Sequence, residues 1–223
     1  MQLSVKQLAC KRKDIVIFEN ISFSLQSGKG LLVKGANGSG KTTLLKVIMG
    51  MLPKAKGTIL LDGADPELRF QQNIHYIGHA NGIKHTLTVR ENLQFFSSFF
   101  SEFKSNEKTY QDILQDLKLE GLADIPAGYL SAGQKRKLGL ARLYFGNRPL
   151  WLLDEPTVSL DQSSQTILIG LLNRHLQNGG MPILVTHIAL QGLDLSGELV
   201  LQSTSQPETY LSNDTTDMMY EAL

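Results

Sequence analysis

The chain has 223 residues, 42% of them hydrophobic, with Lys+Arg 22 against Asp+Glu 21 for a formal charge of +1. That length can bury one full core, or one core with an inserted lobe, and the near-neutral balance argues against a bulk field for nucleic acid or an anionic membrane surface. No stretch approaches the ~20 apolar residues needed to cross a bilayer, the polar opening Met1-Gln2-Leu3-Ser4 lacks a signal-peptide pattern, and the single Cys10 excludes an internal disulfide and fits a reducing compartment.

The first segment reads as strands. Leu3-Ser4-Val5-Lys6-Gln7-Leu8 alternates apolar and polar residues, Ile15-Val16-Ile17-Phe18 is a short β-branched run, and Ile21-Ser22-Phe23-Ser24-Leu25 alternates again. Lys11-Arg12-Lys13-Asp14 between the first two is expected to be a solvated hairpin tip, and Cys10 a small residue packed at a strand end.

Gly35-Ala36-Asn37-Gly38-Ser39-Gly40-Lys41-Thr42-Thr43 fits Gly-x-x-x-x-Gly-Lys-Thr. It follows the apolar run Leu31-Leu32-Val33 and opens into Leu44-Leu45-Lys46-Val47-Ile48-Met49, the strand, loop and helix context that a phosphate-binding loop requires. The glycines let successive N–H groups curl inward, and the helix start adds its positive dipole end. In this pattern Lys41 reaches the β- and γ-phosphates and Thr42 holds Mg²⁺. Gly50-Met51-Leu52-Pro53 then ends the helix. A strand at 57–61 closing on Asp62-Gly63 and another at Ile74-His75-Tyr76-Ile77 follow.

The middle changes character. Thr88 and Glu91 form a capping box opening a helix through Phe96, Lys104 to Asn106 make a polar break, Tyr110 to Leu117 has helical spacing, and Asp124-Ile125-Pro126-Ala127-Gly128 breaks it again. Residues 84–134 are therefore expected to form a mostly helical insert. Phe95-Phe96-Ser97-Ser98-Phe99-Phe100 is expected in its core, a docking surface being the alternative.

Leu130-Ser131-Ala132-Gly133-Gln134 opens a run from Lys135 to Phe145, with Ser131 as N-cap and a second anion site at the helix start. The apolar strand Leu150-Trp151-Leu152-Leu153 ends in Asp154 and Glu155, where a parallel sheet collects catalytic groups. Asp154 is placed to hold Mg²⁺ through water and Glu155 to polarise an attacking water. Asp161, in Ser159-Leu160-Asp161, either caps a helix from Ser163 to Asn178 or faces nucleotide. After Gly179-Gly180, the strand Met181 to Thr186 ends in His187, whose ring can donate to a phosphate oxygen.

Together these residues resemble the nucleotide-binding subunit of an ATP-binding cassette (ABC) transporter, over about residues 1–200. The resemblance implies an α/β fold: a P-loop NTPase (RecA-like) core with an antiparallel β flank and an inserted helical lobe. One domain would occupy 1–202, with core and flank at 1–83 and 135–202, lobe at 84–134, and a tail at 203–223 of unassigned role. It also implies a head-to-tail pair of identical chains in which Ser131, Gly133 and Gln134 touch the partner's ATP. It further implies Asp161 as a nucleotide-binding residue and Lys41, Glu155 and His187 as catalytic ones.

Two positions depart from the family pattern. Arg12 or its neighbours stand where an aromatic ring usually stacks on adenine, and His79 stands where a glutamine usually senses Mg²⁺, Gln71 and Gln72 lying too early to substitute. Gly78-His79-Ala80-Asn81-Gly82-Ile83-Lys84, Leu87 to Leu93 and Tyr129 to Arg136 resemble the ATPase subunit of the bacterial cytochrome c maturation haem exporter. That likeness implies ATP and Mg²⁺ as cofactors and a peripheral place on the cytoplasmic side of the inner membrane. Its partners would be integral membrane transporter subunits and, indirectly, a haem chaperone, with no nucleic acid. His75, His79, His85, His175 and His187 are expected at strand ends, loops or a helix surface rather than in a haem site. Transport of another cargo, or a soluble ABC-type switch, remains the alternative.

Overall fold

Leu150–Asp154 (β6) and Met181–Val185 (β7) are buried at every position, which is what a strand covered on both faces of a parallel sheet requires. The computed structural model describes residues 1–62, 73–99, 110–188, 190–193 and 195–202. In it β6 and β7 are central in a five-stranded sheet ordered β5-β6-β7-β3-β8, with β3 at Leu31–Gly35, β5 at Ile74–Ile77 and β8 at Gly197–Leu201. Its strand pairs are parallel.

A second, antiparallel sheet has the order β2-β1-β4, with β1 at Gln2–Arg12, β2 at Ile15–Gln26 and β4 at Lys56–Leu61. The two runs expected at 15–18 and 21–25 are one strand. Asn20 absorbs the interruption with a left-handed φ of 56°, and the register with β1 shifts there, from Leu8↔Ile21 to Cys10↔Phe18. The basic tip shrinks to a two-residue turn, since Arg12 pairs with Ile15. Cys10 is buried in this sheet, and burial pushes its thiol up.

Helix α1 (Lys41–Ile48) lies between the sheets. Leu44, Leu45 and Ile48 pack with Leu3, Val5 and Ile59 of the flank and with Leu150, Leu152 and Ile183 of the parallel sheet. The alternate residues Trp151, Leu153 and Leu184 face the other way, toward Leu168, Leu171 and Leu172 of the helix Gln162–Gln177. The period-2 alternation of a strand thus lets β6 serve two cores at once.

The lobe contains helices Val89–Ser98 and Tyr110–Asp116 and the short 3-10 turns Glu120–Leu122 and Ala127–Tyr129. The Thr88–Glu91 capping box forms as expected. Buried Asn92 fastens the entry loop: its amide donates to the carbonyls of Lys84, Leu87 and Thr88, and its oxygen accepts from Lys84 N–H. The phenylalanine run splits, Phe96 being buried and Phe99 65% exposed. The lobe's apolar cluster continues past residue 134 into Leu138, Ala141 and Phe145, so the helix Ala132–Leu140 ties lobe to core. The expected break at 104–106, the glutamines at 71 and 72 and the tail from residue 203 lie outside the described residues.

His175, expected on a helix surface, is stacked on Trp151 with centroids 3.7 Å apart, and its Nε2 lies 3.1 Å from Pro149 O. Burial lowers its pKa to about 4, and buried His75 is likewise lowered to about 4, chiefly by desolvation. Both native-state pKa values lie below the ordinary value near 6.5, so the unfolded chain takes up protons first as pH falls. Their contribution is intact above about pH 6.5 and is lost between there and about pH 4. His175→Phe keeps a ring against Trp151 and cannot titrate. Its Tm is expected to fall less than that of the unaltered chain between pH 7 and pH 5, and equal slopes would contradict this assignment.

Candidate functional site

The phosphate loop leaves β3 at Gly35 and enters α1 at Lys41. Gly40, the residue before the helix, has φ 93°, and a Cβ there would lie 2.7 Å from Ile17 Cγ2, so only glycine fits. No side chain caps this helix start, and its first turn has no acidic residue. The open N–H groups and the dipole are therefore directed at the loop's interior. Lys41 is buried within the loop, its Nζ donating to the carbonyls of Gly35 at 2.8 Å and Ala36 at 2.9 Å. A cleft of about 370 Å³ opens here, lined by the loop and helix residues Asn37, Gly38, Gly40, Lys41, Thr42 and Thr43 on one side. Opposite stand His79, Asp154, Glu155 and His187.

Those opposite groups sit at the carboxyl ends of adjacent parallel strands. Asp154 is fully buried; its Oδ2 accepts from Thr42 Oγ1 at 2.8 Å and lies 3.7 Å from His79 Nε2. Its other oxygen, Oδ1, is buried with no hydrogen-bond partner. Taking a carboxylate out of water costs several kcal/mol, and one charge-assisted hydrogen bond returns only about 1.5–3 kcal/mol. Thr42 and Asp154, both oxygen donors, thus fit a hard divalent cation. Beside them the Tyr76 hydroxyl is pushed up to about 12, by burial first and then by the Asp154 carboxylate, so it stays protonated.

Glu155 begins the turn after β6 in a left-handed conformation, φ 48°. Such a backbone costs of order 1 kcal/mol or more for a non-glycine residue, so it persists only where neighbours hold it. Its N–H donates to Val185 O at 2.8 Å and its carbonyl accepts from Arg136 Nη2 at 2.8 Å. The side chain is turned toward His187, whose Nε2 lies 3.4 Å from Glu155 Oε1. A carboxylate and an imidazole thus converge at the cleft where a water and a terminal phosphate would meet.

The signature turn lies apart. Ser131 caps the helix Ala132–Leu140 in a reciprocal box: its hydroxyl accepts from Gln134 N–H, and Gln134 Oε1 accepts from Ser131 N–H. Ser131, Gly133 and Gln134 do not line the phosphate cleft of their own chain. Gly133 packs on the loop after Glu155, where a Cβ would stand 2.9 Å from Ser159 O. Asp161 caps the helix Gln162–Gln177, accepting from Ser164 N–H at 2.8 Å, and its carboxyl is held below the usual range, first by the Ser164 hydrogen bonds.

Arg12 is exposed at the hairpin end and is not among the residues lining the cleft; Ile17, in the facing strand of that hairpin, is. The sequence offered a signal for Ile17 only in its place within a β-branched run. Tyr76 and Arg136 were also missed as site residues. The first looked like an ordinary strand residue, and the second one of three successive cations.

A family model described as ABC transporter matches residues 18–158. The chain is similar to the cytochrome c biogenesis ATP-binding export protein CcmA of Bradyrhizobium diazoefficiens, 44% identical over 194 residues, covering 87% of this chain and 95% of that protein. It is also similar to the CcmA of Agrobacterium fabrum, 38% identical over 213 residues and covering 94% and 100%. Among solved structures, a putative ABC transporter ATP-binding protein from Pyrococcus furiosus aligns with TM-score 0.78 at 25% identity, covering 90% of this chain and 98% of that one. An ATP-binding subunit of an ABC transporter aligns with TM-score 0.77 at 24% identity, covering 84% and 80%. These alignments agree with the expected α/β core, antiparallel flank and helical lobe.

Lys41→Ala removes the cation from the loop while leaving the strand and helix that frame it. Its affinity for a fluorescent ATP analogue is expected to fall about tenfold or more, the scale of one lost charge-assisted hydrogen bond. Unchanged affinity and turnover would count against the phosphate loop.

Proposed function

The chain belongs to the ABC transporter family, as its ATP-hydrolysing subunit, and on that premise we propose that two copies pair head to tail around two molecules of ATP with Mg²⁺. Each nucleotide sits between the phosphate loop of one chain, Gly35 to Thr43, and Ser131, Gly133 and Gln134 of the other. The observation that supports this most directly is the separation within one chain. The phosphate cleft gathers Thr42, Asp154, Glu155 and His187, yet the signature turn stands outside it.

Within each cleft Lys41 holds the β- and γ-phosphates. Thr42 and Asp154 are the residues that would hold Mg²⁺, which when bound would supply positive charge against the phosphate oxygens. Glu155 accepts a hydrogen bond from the attacking water and orients it in line with the γ-phosphate. His187 donates to a γ-phosphate oxygen, and its position beside Glu155 fixes the distance between the two tasks. Asp161 shapes the loop that meets the partner chain. His79 reaches toward the cation's side of the cleft, and Ile17 offers the cleft an apolar edge.

Nucleotide binding favours the closed pair and hydrolysis releases it, so the chemistry biases two arrangements of the membrane-embedded subunits. The cargo follows from the relatives named as cytochrome c biogenesis export proteins, which match nearly end to end. We assign the chain to haem export in that process, on the cytoplasmic side of the bacterial inner membrane, with release of a haem-loaded chaperone as the outcome. Among the described residues, no helix is long and apolar enough to cross a membrane, so the spanning parts are assigned to the partners.

Glu155→Gln is expected to bind ATP within a few-fold of the unaltered chain and to turn over about a hundredfold or more slowly, the scale of a lost general base. A variant with normal turnover would remove Glu155 from its role. Pull-down of this variant with ATP from solubilised membranes is expected to bring multi-span subunits and a haem-bearing chaperone. Other membrane subunits would change the cargo, and soluble partners alone would favour a switch protein. Ser131→Arg should abolish hydrolysis by the pair while sparing binding by the single chain, and full activity would overturn the shared site.

A further inference from the structure

Arg136 is a guanidinium buried to 4% exposure that donates to main-chain carbonyls and to one side-chain amide oxygen. Its Nε donates to Pro156 O at 3.1 Å, and its Nη2 to Glu155 O at 2.8 Å and to Asp154 O at 3.4 Å. Its Nη1 donates to Gly78 O at 2.7 Å and to Asn81 Oδ1 at 3.2 Å. One planar fork therefore grips the backbone of the residues that carry both carboxylates and the backbone beside His79. A lysine, with a point charge on a flexible stem, cannot reproduce that set.

Arg136 also belongs to the helix that Ser131 caps. Ser131 and Arg136 thus stand on one continuous hydrogen-bonded element, the kind of rigid link through which two sites can be coupled. A second contact runs in parallel, since Gly133 packs directly on Ser159 in the loop that follows Glu155. A recess between the two regions is lined by His79, Ala132, Arg136, Glu155 and Ser159, so the signature helix and the carboxylates share a wall. The strained Glu155 backbone is held through Val185 O, through the Val158 N–H at 3.3 Å and through Arg136, and of these only Arg136 comes from the signature helix.

We infer that Arg136 is a positioning residue that makes Glu155 of one chain responsive to nucleotide engaged by that chain's own signature turn. This deepens the head-to-tail reading and rests on it. In a pair, the signature turn of a chain touches the ATP held by its partner, while Glu155 of the same chain acts on its own ATP. Arg136 thus connects the two nucleotide sites through the interior of a single subunit, and each site's hydrolysis depends on occupancy of the other.

The test is a double-mutant cycle on the paired complex with its membrane subunits, using Arg136→Lys, Ser131→Ala and the two together, with kcat measured beside ATP-analogue affinity of the single chain. Arg136→Lys is expected to lower kcat about tenfold or more, the scale of a misplaced catalytic group, while affinity stays within about twofold. The double variant is expected to be no slower than the slower single variant, because both changes interrupt one path. Asn81→Ala, which removes one acceptor and leaves the carbonyls, should show a smaller loss of the same kind if Arg136→Lys does not fold. Losses that multiply in the double variant, affinity that falls in step with kcat, or kcat within about twofold of the unaltered complex would each overturn the inference. Full activity of Ser131→Arg would instead remove the head-to-tail reading beneath it.

Discussion

A carboxylate with no exposed surface at the end of an apolar strand is the constraint on which the rest of this structure depends. A buried carboxyl group calls for hydrogen bonds and positive potential from its surroundings. Thr42 donates to the carboxylate from α1, the Tyr76 hydroxyl of β5 lies beside it, and Arg136 of the signature helix places a cation on the residue's own main-chain carbonyl at 3.4 Å. Each of those groups comes from a different part of the chain. The surroundings of Asp154 therefore tie the phosphate loop, the neighbouring strand and the signature helix to one another.

The fold is what makes this convergence possible. Parallel strands end side by side, so the residues just past Val33, Ile77, Leu153 and Val185 become neighbours although far apart in sequence. The flank sheet clamps α1 from outside and brings Ile17 to the edge of the cleft. The lobe hangs from the same strand ends through the loop that Asn92 fastens, so the signature turn is carried at a set distance from its own phosphate loop.

What the sequence made legible was local. The Thr88–Glu91 capping box, the N-cap at Ser131, the glycine-rich loop, the strand at 74–77 and the buried strands at 150–154 and 181–185 are patterns within a few neighbours. Strand order was not legible, because parallel pairing joins distant segments and leaves no local mark. Nor was the continuity of β2, where Glu19-Asn20 reads as a break and the sheet accommodates Asn20 as a bulge instead. Arg136 illustrates the limit most clearly. Flanked by Lys135 and Lys137, it reads as one more solvated charge, and only the carbonyls of residues 78 and 154–156 turn it inward.

The reciprocal bonds between Ser131 and Gln134 have a consequence for what this turn can recognise. Ser131 Oγ and Gln134 Oε1 both act as acceptors within their own helix end, so the box does not use the hydroxyl and amide hydrogens of the same two side chains. An anionic group, whose oxygens accept, can therefore be met without breaking the cap. The helix end is preorganised: engaging such a group demands little rearrangement, and releasing it leaves the turn in the shape it had before.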